Sequence, residues 1–383
     1  MAVPTQAEQD RPTQHVDVDV SDVIPVLGEL VRAWSLGAGP AVRRVVGERL
    51  RQGKVVVVED EGSLVAGSGP LLLVVRLSDL PPCRDPEGGV VVGEPPRMMG
   101  CGAQDLVGVA AFTLALGIAP TAVTLAIVQD ARALTPVLQS RKVKAAWSPM
   151  GALLTGADRD VLDVVAADVG RLTLSLSAAD ADQLLLASGR AVAFSPAPRF
   201  PLIVTERLSL LGSGLWGERP GDVARDPARR GLVVDRCSLL SFSNVSALIR
   251  CAALPGRSLQ EVVDDVVLAI DDPGVRVQVM NKQQPSSTSL SSPLPRLLTA
   301  LVRRPSSRVV VAPMLDLAWS ASTCQQVREN AVPCIAAFPL PLHPALRARR
   351  GQPDEAVPVD AVVAAAAVVI DVAAAVGVTL ELP

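Results

Sequence analysis

Residues 244–280 constrain the fold more than any other part of the chain, because they predict a complete strand–helix–strand unit. Residues 245–254 are apolar and β-prone, and a Pro-Gly pair turns the chain after them. Ser258 and Glu261 have the spacing of a capping box, in which each side chain satisfies a free backbone N–H of the other residue. Alternating apolar residues at 275–279 predict the second strand. The helix is expected to pack on a sheet through Val262, Val263, Val266, Val267 and Ile270.

The rest of the chain alternates apolar strands with helices, which is the pattern of an α/β fold. Residues 22–52 predict a helix that is interrupted near its middle, and 359–375 predict a mostly buried C-terminal helix. Apolar runs at 54–58, 71–77 and 121–128 are typical of strands buried inside a sheet.

Composition excludes several classes of function. The chain has 383 residues, enough for two or three domains, and a formal net charge of −3. Because charges of both signs are interspersed, there is no basic footprint for nucleic acid or an anionic membrane. Aromatic residues make up 2% of the chain and tyrosine is absent, so few rings are available for stacking on bases or sugars.

Cysteine usage and the termini predict a cytoplasmic protein without a membrane span. The six cysteines show no C-x-x-C spacing, which favours a reducing compartment over a zinc ribbon or a small disulfide scaffold. No apolar segment follows a basic region near the N-terminus, as a secretory signal would require. The apolar run 361–370 is expected to be too short to cross a bilayer.

The 244–280 unit resembles the aminoacylase, glutamate carboxypeptidase and desuccinylase family of two-zinc metallopeptidases (peptidase family M-twenty). In that family an N-V strand precedes C-R-L-L-P-G and a helix that begins S-x-x-E. Here Asn244 and Val245, residues 251–256, and Ser258 with Glu261 take those places. The resemblance implies an α/β/α sandwich domain of the catalytic type with a smaller inserted α+β lid, or dimerisation, domain.

The resemblance also implies the domain borders. Residues 19–163 and 285–383 would form the metallopeptidase-like α/β domain, and residues 164–284 would form the inserted lid. Residues 1–18 are polar and are expected to form a disordered tail. A Pro-, Arg- and Gly-rich stretch at 195–230 resembles an insertion found in one branch of the family, and such a long irregular segment is a candidate for partner contact.

Most positions that match the family's metal ligands carry other residue types. Arg76 and Ser78 stand where the family has the His and Asp of an H-x-D motif. A guanidinium stays protonated, so it cannot serve as a zinc ligand. Asp105 keeps the place of the metal-bridging Asp, while Cys101 replaces an Arg of the same motif. Asp105 also suits the first turn of a helix without any metal, because the helix dipole stabilises a carboxylate there.

The remaining catalytic positions also differ from the family. Ala131 and Arg132 stand where two glutamates would supply the general base and a metal ligand. Without that base, no carboxylate is placed to take a proton from a metal-bound water. Ser148 and Pro149 replace an acidic ligand pair, and Arg350 lies in the segment expected to hold the last metal histidine.

We therefore interpret the chain as a catalytically inactive homologue that needs no zinc and acts as a structural or binding partner. The resemblance implies either a homodimer formed through the lid or a subunit of a larger assembly. Asn244 keeps the place of a lid asparagine that contacts substrate in relatives, and Arg76 is the second candidate for ligand contact.

Two alternatives stay open. In a hydrolase with an altered active site, Cys101 or Cys324 would act as a thiolate; Cys324 stands where the family has the arginine that binds the substrate carboxylate. In a binder of small anions, Arg76 would face the emptied cleft, because its guanidinium fork matches a carboxylate or a phosphate.

Overall fold

The computed structural model describes residues 20–36, 39–60, 62–80, 87–130, 133–156, 159–193, 236–316 and 322–379, with three single positions at 203, 206 and 210. The predicted tail, nearly all of the predicted insertion, and Ala131 and Arg132 lie outside the described residues.

The described residues form ten helices and a short 3-10 turn at Leu77–Asp79. The helices are α1 (Val20–Ser35), α2 (Gly39–Gln52), α3 (Ala103–Ile118), α4 (Leu134–Ser140), α5 (Ala181–Ala193), α6 (Leu259–Ile270), α7 (Pro293–Arg303), α8 (Thr323–Glu329), α9 (Pro344–Arg347) and α10 (Val359–Thr379).

The strands of the described residues belong to three sheets. They are β1 (Val57–Glu59), β2 (Ser63–Gly67), β3 (Leu71–Arg76), β4 (Val90–Val92), β5 (Arg97–Met99), β6 (Val123–Val128), β7 (Ala145–Ser148), β8 (Leu153–Leu154), β9 (Asp160–Asp168), β10 (Gly170–Ser177), β11 (Arg236–Phe242), β12 (Ala247–Ala253), β13 (Arg276–Gln283), β14 (Ser286–Ser287), β15 (Val309–Asp316), β16 (Cys334–Ala336), β17 (Pro341–Leu342) and β18 (Ala356–Pro358).

The chain divides into two compact units. The first comprises residues 1–163, 290–311 and 330–383, and the second comprises 164–289 and 312–329. The borders implied by the resemblance place 285–289 and 312–329 in the larger domain, whereas the structure groups both stretches with the second unit. The reason is local packing, since α8 contacts β14 of that unit.

Most strands of the first unit belong to the largest sheet, in which the strand order is β1-β2-β6-β3-β7-β16-β9-β8-β17, with β14 and β15 also paired to β9. β3 pairs in parallel with both β6 and β7, and β7 pairs in parallel with β16. The residues of β6 and nearly all of β3 are buried, as the unbroken apolar runs predict. The α/β class predicted from the sequence is therefore confirmed.

The prediction of a buried strand at 54–58 is wrong. The chain forms only the short β1 there, which pairs antiparallel with β2 at the edge of the sheet. Val56 is 79% exposed and Val58 is 58% exposed, because an edge strand has no neighbour on its outer side. A run of valines alone cannot distinguish a central strand from an edge strand.

The second unit contains a four-stranded antiparallel sheet in the order β11-β12-β10-β13, with α5 and α6 packed on it. The predicted capping box at the start of α6 is confirmed, with both of its hydrogen bonds present between Ser258 and Glu261. Val262, Val266 and Ile270 are buried as expected, whereas Val267 is 47% exposed, because it lies at the side of the buried face, about 100° around the helix from Val266. Cys237 and Cys251, directly opposite on β11 and β12, form a disulfide.

The C-terminal helix α10 is part of the core of the first unit. It packs on α1, α3 and α7. The segment Val359–Val376 is long and apolar enough to cross a membrane by length and composition, and 56% of it is buried inside the structure. The expectation that this run is too short therefore does not hold, because the apolar stretch extends beyond 361–370. Core helices of globular proteins satisfy the same criterion.

The end of β7 packs against the middle of α3. Pro149, which follows β7, is buried against Gly108. A Cβ placed on Gly108 would lie 2.3 Å from Cβ and 2.9 Å from Cγ of Pro149. On the same helix, Phe112 meets Trp147 edge to face, with ring centroids 5.3 Å apart. Close contact between this strand and this helix therefore requires a glycine.

We predict that Gly108→Ala destabilises the fold by about 1–3 kcal/mol, since the rigid Pro149 ring cannot move away from the added methyl group. Gly117→Ala is the matched control on the same helix. No atom lies within 4 Å of its added Cβ, and alanine is the better helix former by roughly 0.5–1 kcal/mol. Urea unfolding of both variants measures the difference. Equal stabilisation by the two substitutions would contradict the packing described.

Candidate functional site

The small sheet β4-β5-β18 brings together two segments that are far apart in sequence. β5 and β18 pair antiparallel, with Met99 opposite Ala356. Next to this pair, the backbone N–H of Gly100 donates to the carbonyl oxygen of Glu355 at 3.0 Å. The start of α3 is thereby held beside the turn that precedes β18.

Glu355 caps the N-terminus of α3. The N-cap residue Gly102 has a φ of 82° and no side chain that could accept a hydrogen bond. Its backbone N–H donates to Oε2 of Glu355 at 3.0 Å, and that of Gln104 donates to Oε1 at 2.6 Å. The N–H of Gly351 also donates to Oε2. The fully buried carboxylate thus satisfies N–H groups that a helix start leaves without partners.

Asp105, in the first turn of α3, forms an ion pair with Arg350. The Nε–H of Arg350 is shared by both carboxylate oxygens, at 3.0 Å from Oδ1 and 2.8 Å from Oδ2. The Asp105 side chain is 2% exposed and that of Arg350 is 30% exposed. The guanidinium therefore places a positive charge directly against this buried carboxylate.

A second arginine completes the cluster. The Nη1 group of Arg347 donates to Oε1 of Gln104 at 3.1 Å, and Nε2 of Gln104 donates to the carbonyl oxygen of Leu346 at 2.8 Å. Burial lowers the pKa of the Arg347 guanidinium, while the charges of Asp105 and Glu355 oppose that shift. Two carboxylates and two guanidiniums therefore meet at the N-terminus of one buried helix.

Burial raises the pKa of the Glu355 carboxyl above its usual value, because the charged form loses its hydration. The three backbone N–H donors from Gln104, Gly351 and Gly102 act in the opposite direction, and the negative charge of Asp105 acts with burial. Desolvation is the larger effect, so this carboxylate costs free energy when it is ionised in the folded protein.

Of the predicted site positions, the structure brings Asp105 and Arg350 together. Ser148, at the end of β7, is buried, and its carbonyl oxygen accepts a hydrogen bond from the N–H of Ala337 at 3.1 Å. Arg76 is half-buried at the end of β3, and Ser78 is exposed in the turn that follows. Pro149, the partner of Ser148 in the expected acidic pair, is used for packing on α3.

The two candidate nucleophiles are not available as reactive thiols. Cys101 is fully buried and takes part in a disulfide. Cys324, at the start of α8 in the second unit, is not part of a disulfide and is 1% exposed. A thiolate nucleophile needs access and a neighbouring base or cation, so this arrangement gives the cysteine alternative no support. Asn244 lies exposed in the turn between β11 and β12.

The described residues do not fit a two-zinc centre. Nowhere in the part of the chain that the structure describes do three or more His, Cys, Asp or Glu side chains group as metal ligands. Asp105 is engaged by a guanidinium, and a permanent cation beside it opposes binding of a dication. His343 is exposed and caps α9, where its Nδ1 accepts the N–H of Ala345 at 3.2 Å.

Sequence reasoning missed Glu355, Gln104 and Arg347. Glu355 lies 253 residues from Gly102 and 251 from Gln104, so no local pattern connects them. One signal was present, because Gly102 precedes a strongly apolar helix without being able to cap it. A helix start of this kind requires an acceptor from elsewhere in the chain.

We predict that Arg350→Ala destabilises the protein by about 2–4 kcal/mol, since it leaves the buried Asp105 carboxylate without its cation. Adding Asp105→Asn to that variant should recover part of the loss, because the uncompensated charge is then removed. Arg349→Ala is the control. Its ion pair with Asp354 is more than half exposed, so its loss should cost less than about 1 kcal/mol. Urea unfolding tests the three variants, and equal effects of Arg350→Ala and Arg349→Ala would contradict the assignment.

We also predict that the raised pKa of Glu355 makes the stability of the protein depend on pH. Between the unfolded and the folded pKa, the folded state binds more protons, so its free energy of unfolding rises as the pH falls through that window. Relative to Glu355→Gln, which does not titrate, the wild type should gain stability from pH 7 down to 4.5. Asp60 is the control, because backbone N–H donors lower its pKa below 3.8, so its contribution should stay constant from pH 7 to 4.5 and be lost only at lower pH. A relative loss at Glu355 would show that hydrogen bonding outweighs burial.

Comparisons with known proteins identify the fold. No protein-family model and no curated protein sequence matches the chain. Among solved structures it is similar to the aminopeptidase PepT from Bacillus cereus, with 13% identity, a TM-score of 0.57, and coverage of 94% of this chain and 99% of that one. The M20 family metallo-carboxypeptidase Sso-CP2 from Sulfolobus solfataricus is 10% identical with a TM-score of 0.57, over 95% of this chain and 100% of that one.

Human carnosine dipeptidase 1 is 11% identical to the chain, with a TM-score of 0.57 and coverage of 97% of this chain and 99% of that one. Because the structural similarity extends over nearly the whole length of both chains in each comparison, it is not confined to one common α/β motif. The chain therefore has the fold of the M20 family metallopeptidases.

Proposed function

We propose that the protein is a catalytically inactive homologue of the zinc metallopeptidases whose fold it has, and that it works as a structural or binding partner. The observation that carries the proposal is the ion pair between Asp105 and Arg350. These residues match the metal-bridging Asp and the segment of the last metal histidine in the family resemblance. In this chain the Asp105 carboxylate is paired with the Arg350 guanidinium instead of with a metal ion.

This arrangement opposes metal-assisted hydrolysis in two ways. A two-metal site needs carboxylate and imidazole ligands that are free to bind the ions, and both oxygens of Asp105 accept the Nε–H of Arg350. A general base needs a pKa near the working pH, and it needs to be accessible to the water from which it takes a proton. Glu355, the nearest other carboxylate of the cluster, is fully buried and engaged by backbone N–H groups.

The partner surface that best suits a binding role is the β13 edge of the second unit's sheet, where no further strand pairs among the described residues. β13 is an edge strand, and its residues are mostly exposed, including Val279 at 42% and Met280 at 59%. An exposed edge offers backbone donors and acceptors to a further strand, which supports the homodimer or a place in a larger assembly. Light scattering on the purified protein tests this, and a strictly monomeric mass at micromolar concentration would exclude the homodimer. The proposal keeps the expected cytoplasmic location without a cofactor, although the disulfide between Cys237 and Cys251 argues against the reducing compartment that the cysteine spacing predicts.

We predict that the purified protein contains near-zero zinc and does not hydrolyse N-acyl amino acids or dipeptides, even after dialysis against zinc and removal of the excess. Elemental analysis gives the metal content, and amine release gives the turnover. Arg350→Ala is a matched variant that removes the competing cation, and it should also stay inactive because the remaining ligand positions are unsuited. About two zinc ions per chain with turnover in the wild type would overturn the proposal and establish a working hydrolase.

A further inference from the structure

A basic groove runs along one face of α7 in the first unit. It is open to solvent and has a volume of about 430 Å³. Four of its lining residues recur at helical spacing and so form a single stripe along the helix. The groove is lined by Leu290, Arg296, Thr299, Ala300, Arg303 and Val311.

The charged residues that line the groove are both arginines, Arg296 and Arg303. The sequence contains no Asp or Glu from residue 273 to residue 315. Arg304 lies beside α7 and is 4.0 Å from Asp371, so its charge is partly balanced. By contrast, within the part of the chain that the structure describes, no carboxylate forms an ion pair with Arg296 or Arg303, and both are exposed. The groove is therefore complementary to an anionic ligand.

The helix positions of the two arginines favour a spacing of about 10 Å between the charges that they would bind. Arg303 is held in place by its Nε–H, which donates to the carbonyl oxygen of Val309 at 3.1 Å. Arg296 lies seven positions earlier, about 10 Å away along the helix axis and on the same face. Ala300 lies between them, with Leu290 and Val311 beside it as apolar surface. A matching ligand has two anionic groups about 10 Å apart and an apolar segment between them.

We infer that this groove binds an acidic peptide segment in a polyproline II conformation, with acidic residues three positions apart. In that conformation residues i and i+3 lie on the same edge, about 9 Å apart, which matches the spacing of the arginines. An open groove suits an extended peptide better than a small ligand, since small-molecule sites enclose most of the ligand surface. The lining contains no aromatic ring, so stacking of nucleic acid bases has no platform.

The inference is independent of the proposed loss of catalysis, because the groove shares no residue with the cluster around Asp105. It can therefore fail while the inactive-homologue proposal holds, and the reverse is also true. The two experiments separate the outcomes, since one measures zinc and turnover and the other measures peptide binding.

The test is fluorescence anisotropy of a labelled peptide with the core Glu-Pro-Val-Glu, titrated with the full-length protein. The wild type should bind it, and Arg296→Gln should weaken binding about tenfold, as expected for the loss of one charge-assisted contact. Arg304→Gln is the matched control, because it removes the same charge at the end of the same helix but outside the groove. That variant should bind within about twofold of the wild type. Equal weakening by both substitutions would overturn the site, since it would reflect diffuse attraction only.

Two probes test the identity of the ligand. A peptide with Gln in place of both Glu residues should not bind at the same concentrations, because the arginines then meet no charge. Sebacate, a linear aliphatic dicarboxylate, should not displace the peptide at an equal concentration. Displacement by sebacate would overturn the assignment to a peptide, and equal binding of the Gln peptide would overturn the role of the arginines.

Discussion

The start of α3 depends on one buried carboxylate. Nearly all of this helix is inside the protein, so water cannot satisfy the N–H groups of its first turn. Gly102 has no side chain to cap them, and Glu355 accepts the N–H groups of Gly102 and Gln104 instead. Each buried N–H left without an acceptor would cost about 1–3 kcal/mol. The helix at the centre of the first unit therefore requires a turn that lies near the other end of the chain.

The buried Glu355 carboxylate, together with Asp105, also explains why two arginine side chains lie at the start of α3. Glu355 and Asp105 put two negative groups at one helix end, and Arg347 and Arg350 provide two positive ones. The family resemblance implies that, in metal-dependent proteins with this fold, zinc ions balance the charge of such carboxylates. Here the balance comes from side chains of the chain itself. The inactive-homologue proposal rests on this balance of charge.

Fold and chemistry are separable in this protein. The likeness to metallopeptidases covers 94–97% of the chain at 10–13% identity, so the arrangement of elements is retained while nearly all side chains differ. Pro149 shows how a position can change its role. The family resemblance assigns it to the place of an acidic ligand, and here it packs on Gly108 in the core. Packing at that position stabilises the sheet and helix together, but it leaves no oxygen for a metal.

The sequence by itself determined the local elements and the family whose fold is present. The capping box of Ser258 and Glu261, the helix after it and the apolar central strands follow from short-range patterns, and the structure confirms them. Tertiary structure alone decided that Val58 is exposed and that Glu355 is buried. Periodicity shows which residues share a face, but burial depends on which distant element covers that face. The contact between Glu355 and the start of α3 spans about 250 residues, so only the folded chain could reveal it.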